Sequence, residues 1–215
     1  MRILFVAATS FEVESLKAAQ ESGIRNQDNS SLNTQYSILI TGVGMVATAY
    51  ALGRELALNT YDLAINLGIA GSFDRDILLG DIVEVTNDTF TELGAEDDQQ
   101  FISINQLGFG EDTFEATGNL ADIYRDDAPR QVTGITVNTV HGNEASIQKL
   151  QQRLNPQLES MEGAAFFYAC QQAGVPSLQI RAVSNYIEKR NRDNWQIGLA
   201  VKNLNTFALD LIKEL

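Results

Sequence analysis

Short apolar runs alternate with longer amphipathic segments along most of the chain, and this alternation restricts the fold more than any other feature. Runs of this length suit buried strands, whereas the segments between them carry apolar residues at helical spacing. The pattern predicts an α/β fold, a three-layer α/β/α sandwich around an open, central mixed and largely parallel sheet. The predicted strands are residues 2–8, 36–41, 62–67, 81–86, 131–140 and 177–184, and the predicted helices are residues 12–20, 46–58, 143–154, 161–172 and 194–215.

Two stretches follow neither pattern. Residues 21–35 are polar and rich in Asn and Ser, which predicts a loop or an edge element. Residues 92–130 are the least regular part of the chain, and so long a loop inside a domain is usually functional or part of an interface. A length of 215 residues without an internal repeat favours a single domain over residues 1–215.

The balance of charges narrows the classes of partner. The chain carries 15 Lys and Arg residues against 28 Asp and Glu residues, which gives a formal net charge of −13 at pH 7. Such an acidic surface repels phosphate backbones and anionic lipid, so we expect neither nucleic acid nor a membrane as partner.

Histidine and cysteine are almost absent from the sequence. A single His and a single Cys cannot form a multi-histidine metal site or an intrachain disulfide, and we expect no metal ion and no cofactor. The chain also has no signal-peptide core and no long apolar run, so the cytoplasm is the expected location.

The unusual residues of the chain follow the predicted strands. In parallel α/β sheets, ligands bind beyond the carboxyl ends of the strands. The residues placed in this way are Glu12, Gly42, Gly44, Gly68, Gly71 and Asn185. Their shared placement predicts one small-molecule site at that edge of the sheet.

Two acidic residues are candidates for the chemistry. Glu12 follows Thr9 at the spacing of a capping box, or it is a general base held over the sheet by a helix N-terminus. Glu162 is the one charge in an apolar segment, where a carboxylate without a partner is costly. It is either a first-turn residue stabilised by the helix dipole, with Ser160 as cap, or a ligand-binding group.

Two glycine motifs allow more than one interpretation. Gly42-Val43-Gly44 opens a helix as in the dinucleotide fingerprint, but the next predicted strand does not end in the acid that binds a ribose. NAD binding is therefore an alternative to close helix–strand packing. The segment from Gly68 to Gly71 is either a turn that requires positive φ or a set of amides that face a hydroxyl or an anion.

Three polar residues near the last strands complete the set. Arg181 lies inside a predicted strand, where a buried cation needs a carboxylate partner such as Glu12 or Glu162. Asn185 ends that strand and is either a turn residue or a ligand contact. His141 lies at a strand-to-loop junction, and without a Gly-x-Ser-x-Gly motif a nucleophilic triad has little support.

In this order, the motifs resemble those of the nucleoside phosphorylase and nucleosidase family. The resemblance covers essentially the whole chain and is carried by Glu12, by Gly-Val-Gly-Met from Gly42, by Ser-Met-Glu-Gly-Ala from Ser160 and by Arg-Ala-Val-Ser-Asn from Arg181. Residues 181–195 are particularly similar to the futalosine hydrolase branch, which acts in menaquinone biosynthesis. The resemblance implies cleavage of the N-glycosidic bond of a purine nucleoside.

The resemblance also implies roles for the candidate residues. Glu12 would activate the attacking water, and Arg181 would orient that water or Glu12. Met161 and Glu162 would hold the ribose hydroxyls. Further substrate contacts are expected from Ala70 and Gly71. The resemblance implies a homodimer or a larger homo-oligomer, in which a partner segment closes the pocket.

Two positions depart from the patterns of related branches and bear on the reaction. Methylthioadenosine/adenosylhomocysteine nucleosidases carry Asp at the place of Asn185, and an amide offers the N–H donors that O6 and N7 of a 6-oxopurine require. The family's phosphorylases carry Arg at the place of Asn66 to bind phosphate, so water is the expected nucleophile here.

The expected reaction is hydrolysis of futalosine, or of a close 6-oxopurine relative, with release of hypoxanthine. The alternatives are a methylthioadenosine/adenosylhomocysteine nucleosidase and, more remotely, an NAD-binding oxidoreductase or a catalytically silent purine-binding protein. Arg190 and Arg192 either bind the aromatic carboxylate on the 5′ side of futalosine or are solvated loop residues. Phe101 and Phe109 either line a pocket, their own or a neighbour's, or anchor the core.

Overall fold

Strands and helices alternate along the computed structural model, which describes residues 1–22, 35–124 and 128–214. The strands are β1 (Arg2–Ala7), β2 (Gln35–Ile40), β3 (Leu63–Ser72), β4 (Ile82–Phe90), β5 (Gly94–Asp97), β6 (Gln100–Ser103), β7 (Thr113–Glu115), β8 (Arg130–Thr136), β9 (Leu158–Ser160) and β10 (Ser177–Tyr186). The α-helices are α1 (Glu14–Glu21), α2 (Met45–Leu58), α3 (Glu144–Leu154), α4 (Gly163–Ala173) and α5 (Ile197–Glu214).

Eight of these strands form one mixed sheet. The order across it is β10-β4-β8-β9-β3-β1-β2, with β7 paired to β4. The pairs β1–β2, β1–β3, β3–β10, β4–β8 and β8–β9 are parallel, whereas β4–β10, β3–β9 and β4–β7 are antiparallel. The predicted central mixed, largely parallel sheet is confirmed.

The sheet closes on itself at one end, because β10 pairs with both β3 and β4. The strands β3, β9, β8, β4 and β10 thereby form a ring, and β1 and β2 extend from it. Apolar side chains fill the ring: Ala70, Ile77, Val83, Val85, Val132, Leu158 and Val183. The prediction of an open sheet is wrong here, since apolar runs do not reveal that both edges of a buried strand find partners.

Helices cover both faces of the sheet. Along β1, Leu4 and Val6 pack in a cluster with residues of α2 and α4, whereas Ile3 and Phe5 pack in a cluster with residues of α1 and α5. This alternation is the period of two that a strand imposes on its side chains. The predicted three layers are confirmed, and they place the helix N-termini of α2 and α4 beside the carboxyl ends of β1 and β3.

Three details differ from the prediction: the conformation of residues 68–71, the content of the irregular stretch and the first residue of α4. The segment from Gly68 to Gly71 continues β3 without positive φ, so it is not a turn. The irregular stretch contains the β5–β6 hairpin and β7, although residues 125–127 lie outside the described residues. Most of the loop predicted at residues 21–35 also lies outside them. Helix α4 begins at Gly163 rather than at Met161.

Candidate active site

The side chains of Glu12, Glu162 and Arg181 meet at the carboxyl ends of β1, β3 and β10. Glu12 lies in a 3-10 turn directly after β1, Glu162 precedes α4, and Arg181 projects from β10. All three are buried, with exposed fractions of 7%, 6% and 1%. The structure thus brings together three charged residues that lie far apart in the sequence.

The two oxygens of the Glu12 carboxylate have different partners. Oε2 accepts hydrogen bonds from the backbone N–H and the hydroxyl of Thr9, both at 2.9 Å. Oε1 accepts from the Ile69 amide at 3.2 Å and lies near the Cα of Gly68. The capping box and a role in the site are therefore compatible, because the cap fixes the side chain while Oε1 faces β3.

Glu162 is the N-cap residue of α4 and not a first-turn residue. Its carboxylate does not cap its own helix. Oε1 accepts from the Gly44 amide at 3.0 Å and Oε2 from the Met161 amide at 3.3 Å, while Ser160 Oγ accepts from the Gly163 amide at 3.3 Å. The Gly44 amide at the start of α2, which a dinucleotide would need for its diphosphate, is thus engaged by a carboxylate.

Each nitrogen of the Arg181 guanidinium has a partner. Nη1 lies 3.6 Å from Oε2 of Glu162, Nη2 donates to Asn66 Oδ1 at 2.6 Å, and Nε donates to Gln179 Oε1 at 2.9 Å. Asn66 is fixed in turn, because its Nδ2 donates to the Val6 carbonyl at 3.0 Å. A buried ion pair of this kind depends on such supporting hydrogen bonds, since removing one partner leaves a buried charge uncompensated.

Glycine is required at position 68 because a side chain would have no room there, and not because of the backbone conformation. A Cβ at this position would lie 2.1 Å from Nη1 of Arg181 and 3.3 Å from Oε1 of Glu12. The guanidinium and the carboxylate oxygen therefore face the same point above β3. Any side chain there would displace Arg181 from beneath Glu162.

Asn185 lies on the same edge of the sheet, one strand away from Gly71. The two residues are paired, and a Cβ at Gly71 would lie 3.0 Å from Asn185 Nδ2. Asn185 Oδ1 accepts from the Ser184 hydroxyl at 2.9 Å, and Nδ2 donates to the Tyr186 carbonyl at 3.2 Å. This orientation turns the N–H side of the amide toward the shelf formed by Ala70 and Gly71.

Asp88 is a buried carboxylate that the sequence did not single out. Its Oδ1 accepts from the Thr136 hydroxyl at 2.8 Å, and its Oδ2 accepts from Gln179 Nε2 at 3.1 Å. Thr136 Oγ1 also accepts from the Ala164 amide in α4 at 2.7 Å, while Gln179 holds Arg181. Asp88 thereby joins the first turn of α4 to the guanidinium. Burial raises the pKa of Asp88 to about 6.

The raised pKa of Asp88 makes a prediction about stability. The folded state holds the Asp88 proton more tightly than the unfolded chain, so the contribution of this group to stability is present below pH 4 and is lost as the pH rises through 6. A difference of about two pKa units corresponds to about 3 kcal/mol. We therefore expect the unfolding free energy of wild type, relative to that of Asp88→Asn, to rise by about 2–3 kcal/mol when the pH is lowered from 7 to 4, measured by urea unfolding of both proteins. The exposed Asp97→Asn is the control, and a pH-independent difference between wild type and Asp88→Asn would contradict the assignment.

His141 forms a second buried pair that the sequence did not reveal. Its backbone N–H donates to Glu159 Oε1 at 2.8 Å, and its ring Nδ1 bonds to Oε2 of the same carboxylate. Glu159 is 2% exposed, and burial raises its pKa while the bonds from His141 oppose the rise. The sequence could not reveal this pair, because β9, which carries Glu159, has only three residues and shows no recognisable alternation.

The remaining side chains that the sequence singled out make contacts of their own. The guanidinium groups of Arg190 and Arg192 lie beside the Trp195 ring, 5.1 and 5.8 Å from its centroid. Phe101 packs against the guanidinium of an arginine in α3, at 4.1 Å. Phe109 is 80% exposed and lines a cleft beside α2.

Neither a metal site nor a membrane span is evident in the described parts of the chain. No group of three or more His, Cys, Asp or Glu side chains is arranged there to hold a metal ion. Among the helices described, none has the length and the apolar character that crossing a membrane requires.

The arrangement suits the breaking of a glycosidic bond. Such a reaction passes through an oxocarbenium-like transition state, which nearby carboxylates stabilise while a base takes the proton of the attacking water. Glu12 and Glu162 are two fixed carboxylates near Arg181, and Asn185 has one N–H that is not donated to the Tyr186 carbonyl. These are the groups that the chemistry needs.

Comparison with known proteins agrees with this geometry. The sequence profile of the Phosphorylase superfamily matches residues 2–214. The futalosine hydrolase of Streptomyces coelicolor is 33% identical over 176 residues, which cover 79% of this chain and 75% of that protein. The futalosine hydrolase of Acidothermus cellulolyticus is 32% identical over 214 residues, which cover 94% of this chain and 86% of that protein.

A solved structure shows the same fold. It is a 5′-methylthioadenosine/S-adenosylhomocysteine nucleosidase from Colwellia psychrerythraea in complex with adenine, with a TM-score of 0.81 at 21% identity over 100% of this chain and 96% of that one. At this identity the likeness concerns the fold. Together with the family match and the two relatives, it shows that the chain belongs to the phosphorylase superfamily and is a nucleosidase, an N-glycosyl hydrolase.

Proposed function

We propose that the chain hydrolyses the N-glycosidic bond of futalosine, or of a close 6-oxopurine nucleoside, and releases hypoxanthine in menaquinone biosynthesis. The observation that carries the proposal is the convergence of Glu12, Arg181 and Glu162 at one edge of the sheet, with Asn185 beside them. The two futalosine hydrolases reported above support the choice of substrate. A single cysteine suits a reducing compartment, so we place the reaction in the cytoplasm.

The mechanism follows from the contacts of the two glutamates. Glu12 Oε1 accepts the proton of a water that attacks C1′ of the sugar. Glu162, fixed by Gly44 and Arg181, binds the ribose hydroxyls together with Met161 and stabilises the positive charge that develops on the sugar. The electron pair of the glycosidic bond passes to the purine, whose growing negative charge is met by the Asn185 N–H that is not donated to the Tyr186 carbonyl.

Hydrolysis is favoured over phosphorolysis by the way in which Arg181 is used. Its Nε and Nη2 donate to Gln179 and Asn66, and its Nη1 faces Glu162. A phosphate dianion needs guanidinium donors of its own, and it would also approach the buried carboxylates of Glu12 and Glu162. Water meets neither obstacle.

The experiment that tests the proposed function identifies the base that is released. The purified enzyme is incubated with futalosine, inosine or methylthioadenosine, with and without phosphate, and the products are separated by chromatography. We expect hypoxanthine from the 6-oxopurine nucleosides at a rate that does not depend on phosphate. Release of adenine alone would favour the methylthioadenosine/adenosylhomocysteine nucleosidase alternative, and a requirement for phosphate would contradict the role given to Asn66.

The carboxylate of futalosine also needs a partner in this proposal. Arg190 and Arg192 are exposed, and both lie in the loop that follows Asn185. Their position beside Trp195 places two cations and an indole on one surface, where an aromatic carboxylate could receive both an ion pair and a stacking contact. We propose this surface as the binding place for the 5′ side of the substrate.

We further propose that the enzyme works as a homodimer or a larger homo-oligomer. Helix α2 exposes large apolar side chains, with Val46 at 78% and Tyr50 at 72%, and Phe109 faces the same cleft of about 630 Å³. A contiguous apolar surface of this kind is a common mark of a protein interface. It begins next to Gly44, whose amide holds Glu162, so a second copy seated there would also cover the site.

The interface proposal predicts the effect of a charge on α2. Val46→Glu is expected to shift the protein to the monomer in light scattering and to lower kcat/KM about tenfold or more, because the site is no longer shielded from water. Gln148→Glu adds the same charge on the exposed surface of α3 and is the control. An unchanged mass for Val46→Glu would contradict the proposal.

A further inference from the structure

In the proposed function, no residue has been assigned to protonate the departing base. The purine that departs carries the electron pair of the glycosidic bond and must gain a proton to leave as a neutral base. Asn185 can donate hydrogen bonds but cannot release a proton. An ionisable group within reach of the same base would complete the reaction, so the titratable groups next to Asn185 on the sheet are the ones to consider.

The pair of His141 and Glu159 lies on the same row of the sheet as Asn185. Gly71 of β3 is paired with Glu159 of β9 on one side and with Asn185 of β10 on the other. Residues paired across neighbouring strands project their side chains from the same face. Glu159 and Asn185 therefore flank Gly71 on one face, about 10 Å apart at their Cα atoms if each strand spacing is about 4.8 Å.

The loops that carry the two groups are joined. His141 lies in the loop that leaves β8, and Gly142 accepts a hydrogen bond from the Arg190 backbone N–H at 3.2 Å. Arg190 belongs to the loop that follows Asn185. The loop that carries His141 and the loop that follows β10 are thus joined, on the side of the sheet where β9 and β10 flank Gly71 of β3.

One nitrogen of the imidazole is bound and the other is available. Nδ1 bonds to the Glu159 carboxylate, which is almost fully buried, whereas Nε2 bonds to none of the described residues. The His141 side chain is 18% exposed, and no buried side-chain nitrogen in the described chain lacks a partner, so Nε2 is accessible to solvent. When the ring carries a proton on each nitrogen, Nε2–H can be transferred to a ligand while Nδ1 stays bonded to Glu159.

The other charged groups near the ring are few. Glu92, in the turn after β4, accepts from Asn138 Nδ2 at 3.0 Å in the same loop as His141. The Arg190 guanidinium is drawn to the Trp195 ring, 5.1 Å from its centroid. Glu159 is thus the carboxylate that directly contacts the imidazole and sets the orientation of the ring.

We propose that His141, oriented by Glu159, is the general acid that protonates the departing purine, and this rests on the proposed function. Water adds to C1′ as the bond from C1′ to the purine nitrogen breaks. Glu12 takes one proton of the water, and Nε2 of His141 gives a proton to a purine ring nitrogen. The products are the neutral base and the sugar, which has gained a hydroxyl at C1′ and keeps its 5′ substituent, and the imidazole and Glu12 return to their starting states by exchanging one proton through solvent.

The test uses His141→Asn, because an asparagine N–H can replace Nδ1–H on Glu159 while no proton remains at the place of Nε2. We expect kcat for a 6-oxopurine nucleoside to fall about a hundredfold. The alkaline limb of the pH–rate profile, which a general acid produces, should be absent from the variant. On a nitrophenyl riboside, whose leaving group needs no proton, the variant should keep its rate within about threefold of wild type.

Two further variants separate catalysis from structure. Glu159→Gln is expected to change the pH profile in the same direction, whereas Glu92→Gln, close to the loop but not on the ring, should leave kcat unchanged. If His141→Asn lowers kcat equally for the purine nucleoside and the nitrophenyl riboside and leaves the pH profile unchanged, the residue is structural and the proposal is wrong. A rate within threefold of wild type on the purine nucleoside would overturn it as well. If wild type releases no purine base at all, the proposed function is wrong, and the role proposed for His141 is wrong as well.

Discussion

Replacing Glu12 by glutamine is expected to lower kcat by 10²- to 10⁴-fold, the range that a general base contributes, while KM changes little. The amide cannot accept the proton of the attacking water. It occupies nearly the same volume as the carboxylate, so the pocket that binds the nucleoside keeps its shape. The measurement is steady-state release of hypoxanthine, with Glu14→Gln, an exposed neighbour in α1, as the control.

The substitution also disturbs a hydrogen bond, and this effect must be measured separately. Glu12 accepts on both oxygens, from Thr9 and from the Ile69 amide, so the amide nitrogen of glutamine would face a donor on one side. A buried conflict of this kind costs about 1–3 kcal/mol of stability. Thr9→Ala removes only the hydroxyl from the cap, and it is expected to lower stability by about 1 kcal/mol while kcat is kept.

The comparison of these two variants decides between the two roles of Glu12. If the residue served only as a cap, Thr9→Ala and Glu12→Gln would lower activity in proportion to stability. A kcat of Glu12→Gln within tenfold of wild type, in a protein that remains folded, would remove Glu12 as the base. The mechanism would then need another group to take the proton of the water.

The sequence was sufficient for those parts of the fold that depend on local periodicity. The alternation of apolar runs located β1, β2, β3, β4, β8 and β10 and all five helices within a few residues. It could not show that β10 has two strand partners, because pairing depends on residues far apart in the chain. It also could not find β9, whose three residues are too few for a period of two.

The glycines show why a local interpretation fails at a site. A Gly-x-x-Gly segment predicts a turn, since glycine is the residue that adopts positive φ most readily. In the structure this segment is strand, and the reason for each glycine is a neighbour. At Gly68 the neighbour is Arg181 and at Gly71 it is Ile187, and both come from β10 or the residue after it. Only the folded chain brings these side chains over β3.

The buried network beneath the site was also beyond the sequence. Glu12, Glu162 and Arg181 stood out because each is charged in an apolar or strand-end setting. Asp88 and Gln179 did not, since a polar residue in a strand is unremarkable until its burial and partners are known. In the structure, hydrogen bonds link the guanidinium to Gln179 and Gln179 to Asp88, and Thr136 links Asp88 to the first turn of α4. The sequence therefore indicated the charged residues that converge here and missed the residues that hold them.

Asn185→Asp is expected to reverse the preference of the enzyme between 6-oxopurine and 6-aminopurine nucleosides. In wild type, Oδ1 is occupied by the Ser184 hydroxyl, so the amide presents N–H to the base. O6 and N7 of hypoxanthine are both acceptors, and a carboxylate would repel them. The amino group of adenine is a donor and would be accepted by the new oxygen.

The size of the change follows from the cost of unpaired polar groups. One mismatched buried hydrogen bond costs about 1–3 kcal/mol, and sites that discriminate by such bonds reach far larger ratios. We expect the ratio of kcat/KM for inosine to that for adenosine to fall by about 10²- to 10³-fold in Asn185→Asp. Asn105→Asp, in an exposed turn, is the matched control and should leave the ratio unchanged. If Asn185→Asp lowers kcat/KM for inosine and for adenosine by the same factor, the amide does not select the base, and the role proposed for Asn185 is wrong.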